Sequence, residues 1–199
     1  MSASPLPKIV FLAGARLALR SLVESDADGA YPGWLNDAEV CHGNSHHTFP
    51  YTRDAAREYI RHAGQRTDAL ILAIVLKDND RHVGNIALQD IHPIDRTAEL
   101  SILLGERDAW GAGYAQEAVE LLLAHGFTAL NLRRVGCGTF AGNEAMRKLA
   151  LRLGMKLEGQ RRQAVFKAGS YHDVVEFGLL REEFENRAGS PAASATAKS

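Results

Sequence analysis

Two glycines one residue apart, in "RDAWGAGYAQEA" at positions 107–118, stand where a strand-like stretch gives way to a helix-like one. Glycines there let a ligand approach the backbone. The first N–H groups of a helix lack internal partners and carry the positive end of its dipole. The pattern therefore offers a cradle for phosphate. It is not a P-loop, because no Gly-x-x-x-x-Gly-Lys-[Ser/Thr] occurs. Nor is it a dinucleotide fingerprint: Gln116 stands where a third glycine is needed, and Arg133 and Arg134 stand where an acidic residue should follow. Taken alone, the two glycines are explained equally well by a tight turn that holds nothing.

Two other places offer proton chemistry. In "TAELSILLG" (97–105), Glu99 shares a face with Ser101 and Leu103, opposite Ala98, Leu100, Ile102 and Leu104. A carboxylate beside a phosphate cradle suits a general base, and it suits a structural ion pair as well. "CHGNSHH" (41–47) places Cys41, His42, His46 and His47 within seven residues. Zinc sites pair their ligands at wider spacings and draw them from two segments, so no metal is expected. An imidazole titrates near neutrality, which makes His46 a candidate base and His47 a candidate substrate contact. Arg147, Lys148 and Arg152 form a basic side of a helix, readable as phosphate contacts or as a solvated face.

These residues need a frame, and the chain is long enough for one. Its 199 residues are 46% hydrophobic and 24% charged, with a formal net charge of -1 at pH 7, as expected for one soluble domain with no global basic field for nucleic acid. The longest apolar run, "ALILAIVL" (69–76), is too short to cross a bilayer, and the N-terminus does not read as a secretory signal. Two cysteines, Cys41 and Cys137, make no disulfide framework, so a cytoplasmic protein with reduced thiols is expected. Residues 1–8 read as a flexible leader, 9–185 as a single domain and 186–199 as a disordered tail.

Periodicity predicts strands at 16–22, 69–76, 82–91, 97–105, 133–140, 156–166 and 172–181. It predicts helices at 52–65 with Thr52 as N-cap, at 114–130, and at 143–154 between an Asn143 cap and Gly154. Residues 24–37 read as a short helical or irregular segment interrupted by Pro32. Ala115, Ala118, Val119, Leu122, Gly126 and Leu130 mark the buried face of the second helix. This order gives an α/β fold with a mixed sheet.

The ordered set of motifs resembles the GNAT superfamily of N-acetyltransferases. "DAWGAGYA" matches its [Gln/Arg]-x-x-Gly-x-[Gly/Ala] motif, and Asn143 in "GNEAMRKLALRLGM" matches the Asn that opens its next helix. "GMKLEG" and "GSYHD" follow in order. Upstream, "YPGWLNDAEV", "FPYTRDAAREYI" and "HVGNIALQDI" are similar to the branch of ribosomal-protein N-terminal and polyamine acetyltransferases. The resemblance covers about residues 15–182.

It implies a mostly antiparallel sheet of six or seven strands, splayed in the middle and flanked by about four helices. It implies acetyl-CoA in the splay, with the pantetheine beside Ile102, Leu103 and Leu104. The pyrophosphate would rest on the amides of Trp110, Gly111, Ala112, Gly113, Tyr114 and Ala115, with Asn143 as a further cofactor contact and Arg147 at the 3′-phosphate or adenine end of CoA. It implies transfer of acetyl directly to an amine, a peptide N-terminus, a polyamine or another small amine, with Glu99, His46 and Tyr114 as catalytic candidates. Trp34, Asn36, His47 and Asp90 become candidate acceptor contacts, with a core role the preferred reading of Trp34, and a homodimer is implied. The chain departs from its relatives at the general acid: Met146, Ala150 and Val165 occupy the positions where relatives carry Ser, Tyr and Glu. A weak or inactive acyl-CoA-binding regulator on the same fold is the rival expectation.

Overall fold

The structure, a computed structural model, describes residues 9–188. The expected leader (1–8) and all but residues 186–188 of the expected tail lie outside the described residues.

Eight strands form one sheet in the order β1-β2-β3-β4-β5-β6-β8-β7. They are β1 (Val10–Ala13), β2 (Leu17–Ser21), β3 (Leu70–Leu76), β4 (His82–His92), β5 (Thr97–Leu104), β6 (Arg134–Phe140), β7 (Lys156–Lys167) and β8 (Ser170–Leu180). Every neighbouring pair is antiparallel except β5–β6. The helices are α1 (Tyr31–Leu35), α2 (Arg53–Ala63), α3 (Tyr114–Thr128), α4 (Glu144–Arg152) and α5 (Arg181–Ala188). Strand and helix numbers both exceed the expectation, because β1 and α5 were not foreseen. β1 exists only as half of a hairpin with β2. Helix α5 takes in residues 186–188, which the expected tail had claimed.

The main core lies between the sheet and α3 and α4. Val119, Leu122, Leu123 and Phe127 of α3 and Ala150 and Leu153 beyond it meet Leu72, Ile74, Ile86, Leu88, Val135 and Leu179 of the strands. Leu130, expected on that face, lies past the helix end and is partly exposed. A second core on the opposite sheet face gathers Tyr31, Trp34, Leu35, Cys41, Ala56 and Ile60. There Pro32 falls in the first turn of α1, where its missing N–H breaks no helical bond, so it starts a helix rather than interrupting one. Asp26, just before α1, accepts two 2.8 Å bonds from Arg20 of β2, and both side chains are buried. That pair ties the α1–α2 layer to the sheet.

Candidate active site

The one parallel pairing is short. β5 and β6 pair only at Thr97–Arg134, Ala98–Val135 and Glu99–Gly136, whereas β5 pairs with β4 from Thr97 to Leu104. Beyond Glu99 the two strands diverge, and the gap opens toward their carboxyl ends. Both chains then enter helices there: β5 leads through residues 105–113 into α3, and β6 leads through 141–143 into α4. Two helix N-termini therefore border one mouth, the usual place for ligands of open α/β sheets.

At the α3 lip, Gly111 has φ +73° and Gly113 has φ +84°. Side chains with a Cβ avoid this region, which is why the sequence needs glycine at both positions. Gly113 is the N-cap and supplies no side-chain acceptor. The amides of Gly111, Ala112 and Gly113 donate to no backbone carbonyl, and the first helical bond runs from Glu117 N–H to the Gly113 carbonyl at 3.2 Å. The N–H groups of this turn are thus left for an anion. A Cβ at Gly111 would project into open space. Arg16 braces the loop from behind. It donates to the Ala112 carbonyl at 2.8 Å and to the Glu117 carboxylate at 2.9 Å, and its guanidinium lies 4.7 Å from the centre of the Tyr114 ring. Trp110 closes the loop by donating from Nε1 to the Leu104 carbonyl at 2.9 Å. An anion fits this cradle by charge and by close backbone approach.

Glu99 lies where the splay begins. A Cβ at Gly136 would run into its carboxylate, so glycine on β6 makes room for it. Its carboxyl is held above the ordinary range, first by desolvation and then by repulsion from Glu176, with Asp90 and Glu158 adding to it and Arg134 opposing. Glu176 is itself bound to Arg161 at 2.6 Å, and Arg134 is bound to Glu158 at 2.5 Å. A raised carboxyl among carboxylates is the behaviour expected of a proton acceptor in an active site, though ion-pair networks produce it too.

The remaining expected residues divide. Tyr114 packs on the main core beneath Arg16, on the α3 side of the sheet. Glu99 points to the other face, the one that Leu103 shares with the second core. Ile102 and Leu104 pack on the main core. His46 and His47 are exposed on the 41–47 segment, His47 with φ +65°. Desolvation, and then the nearby Lys167 ammonium, hold the His46 imidazole below its ordinary pKa. Asp90, also in the left-handed region, is exposed near Glu99 and 3.9 Å from Arg66. Arg147 is exposed and donates to the Ala141 carbonyl at 3.1 Å, at the α4 lip.

Of the two readings of Trp34, core and pocket wall, the structure has the core one. Only 4% exposed, it fills the second core, covers Gly105 and donates to Glu106 at 2.8 Å, which leaves no face for a substrate. Asn36 is likewise committed to the fold: its side chain bonds the Pro32 carbonyl and both polar atoms of the Tyr51 backbone.

Four contributors escaped the sequence reading: Arg16, Glu117, Glu176 and Lys167. Each pairs with a residue far along the chain or across strands, and no local pattern marks it. Only the glycines at 136 and 138 gave a signal, since two gaps on one strand face leave room for two large side chains opposite. A Cβ at Gly138 would meet Glu176 at 2.8 Å. Among the described residues, no group of three or more His, Cys, Asp or Glu side chains is arranged to hold a metal.

Residues 16–156 match the family model described as an acetyltransferase (GNAT) domain. An uncharacterized N-acetyltransferase, p20, of Bacillus licheniformis is 32% identical over 173 residues, covering 85% of this chain and 95% of that protein. Among solved structures, RimL, a ribosomal L7/L12 alpha-N-protein acetyltransferase in complex with coenzyme A, superposes with a TM-score of 0.77 at 22% identity, over 87% of this chain and 98% of that one. Spermidine N-acetyltransferase from Vibrio cholerae, in complex with CoA and spermine, gives a TM-score of 0.77 at 22% identity, over 86% and 99%. The splayed sheet, the open glycine cradle and these likenesses agree: the chain belongs to the GNAT acetyltransferase family and is an acyl-CoA-dependent N-acyltransferase.

Proposed function

We propose that the chain moves acetyl from acetyl-CoA directly to a primary amine, either a peptide N-terminus or a polyamine or similar small amine. The observation that carries this reading is the uncapped α3 N-terminus at the mouth of the splay, with the raised carboxyl of Glu99 where the splay begins. Acetyl-CoA supplies the thioester that the amine attacks. The amides from Gly111 to Ala115 bind the pyrophosphate, the Trp110 N–H expected with them being taken by the Arg107 carbonyl at 3.0 Å, and one N–H of Asn143 and the Arg147 guanidinium add contacts at the opposite lip. Glu99 takes the proton that the attacking ammonium must lose, directly or through water, with His46 as a second acceptor. The new C–N bond forms as the C–S bond breaks. The departing thiolate takes its proton from solvent or from the acceptor, since Met146 and Ala150 pack into the core and carry no proton to give. Holding both substrates in line supplies much of the rate.

The carboxylates Glu99, Glu176, Glu158 and Asp90 favour a cationic acceptor. The named relatives act on ribosomal protein and on spermidine, and both offer one. We further infer a cytoplasmic homodimer. Both cysteines are free and buried, and β7 is an edge strand that leaves Leu157 and Phe166 in the open.

The test is thiol release from acetyl-CoA with peptide and polyamine acceptors, run as a pH profile on the wild type and on Glu99→Gln. The base must be ionised, so the rate climbs as pH rises through a pKa above the ordinary 4.5. Glu99→Gln removes that limb and lowers kcat by about a hundredfold, with acetyl-CoA affinity unchanged within about twofold. A Glu99→Gln rate close to wild type would remove Glu99 from the mechanism.

A further inference from the structure

Segment 37–47 crosses the mouth from one lip to the other. At the β5 lip, Arg107 bonds Asp37 and Glu39, each at 2.5 Å. At the β6 lip, Asn143 Nδ2 donates to the Gly43 carbonyl at 3.2 Å. Close by, Lys167 at the end of β7 donates to the carbonyls of Cys41, Asn44 and His46 at 2.6, 2.5 and 2.7 Å. An ammonium has three protons, and here all three serve one segment. Among the described residues, no carboxylate pairs with Lys167. Val40 and Cys41 seat the first part of the segment in the second core, and Asp37 Oδ1 accepts from the amides of Glu39 and Val40. From His42 onward the segment holds itself only by local bonds, such as Asn44 N–H to Cys41 O and His46 N–H to Asn44 Oδ1. The shape of residues 42–47 therefore depends on the outside clasps.

We propose that Lys167 is a positioning residue for the acceptor: its ammonium, aided by Asn143, clasps segment 37–47 across the mouth of the splay and fixes where His46 is held. The clasp follows from the contacts alone; what it encloses rests on the acetyl-transfer reading above. The pyrophosphate cradle belongs to α3 at the other lip and shares no bond with Lys167. Releasing the clasp therefore weakens the hold on the acceptor and leaves the hold on acetyl-CoA intact.

Hydrogen exchange and steady-state kinetics on the full chain test this with Lys167→Met, which keeps length and loses the charge, and Lys167→Arg, which keeps charge and donors. In Lys167→Met, amides within 41–47 exchange at least about tenfold faster while α3 is unchanged. The acceptor KM rises about tenfold, and the acetyl-CoA KM stays within about twofold. Lys167→Arg recovers most of both. Gly43→Ala loosens the same segment independently, because its Cβ would run into the Asn143 amide; the acceptor KM moves in the same direction. Unchanged exchange in Lys167→Met overturns the clasp. Faster exchange with an unmoved acceptor KM overturns the positioning role and leaves a structural brace. A wild-type chain that acetylates no amine sinks the acetyl-transfer reading and the acceptor half of this proposal, while the exchange result still decides the clasp.

Discussion

Helices α3 and α4 begin on the two sides of one mouth, and they begin in opposite ways. Helix α4 is closed by its own sequence: Asn143 Oδ1 accepts from Met146 N–H at 3.1 Å, and the other end of the same amide holds Gly43. Helix α3 begins on a left-handed glycine with no side-chain cap. Its first-turn carboxylate, Glu117, is turned away to Arg16 and to the amides of Arg16 and Leu17, which pull that carboxyl below its ordinary range against the opposing effect of burial. A capped helix start is finished as structure. An uncapped one is unfinished, and a ligand with negative charge completes it. This difference is what the proposed pyrophosphate site rests on.

Spoiling the open end of α3 has the largest expected effect. Gly113→Val forces a β-branched residue to φ +84° and places its Cβ 3.3 Å from the Arg16 guanidinium. Strain of about 1–2 kcal/mol for the wrong backbone region alone, with the loop displaced, lowers acetyl-CoA affinity by about a hundredfold on titration calorimetry. An affinity within threefold of wild type would mean that α3 does not hold the pyrophosphate.

Spoiling the closed end has a smaller and different effect. Asn143→Ala costs about 1 kcal/mol of stability and lowers the melting midpoint by about 2–4 °C. Asn143→Ser, which still caps, keeps most of that stability. If Asn143→Ser melts like wild type yet binds acetyl-CoA several-fold more weakly, the amide serves the ligand as well as the helix. The mildest probe is Arg147→Ala, which weakens CoA binding by about threefold and leaves dephospho-CoA binding unchanged, as an exposed phosphate contact would. Equal losses for the two ligands would exclude a role at the 3′-phosphate.

The helix boundaries were legible because they are local. Thr52 accepts from Ala55 N–H at 3.1 Å, Asn143 caps α4 and Gly154 takes φ +81°, as the punctuation of the chain implied. The two glycines of the cradle were legible for the same reason. Strand β1 was not: "VFLA" is four residues long and gains its identity only from β2. Helix α5 was not: "REEFENRA" is polar with a single large apolar residue, Phe184, which reaches the core beside Phe127. For Trp34 the sequence leaves two readings, core and pocket wall, because an aromatic residue near a pocket and one beneath it look alike; the structure has the core one.

By itself, the sequence determined the short-range features: which stretches alternate, where helices are capped, where the backbone needs glycine, and which residues could carry a proton. Tertiary structure alone decided which of these meet. Glu99 faces Glu176 because β6 lies between β5 and β8 and carries glycine at 136 and 138. Arg16 braces a helix a hundred residues away, and Lys167 holds a segment more than a hundred and twenty residues upstream. Hydrogen bonds and ion pairs act over a few ångströms, so strand order and register, not proximity in the chain, choose the partners.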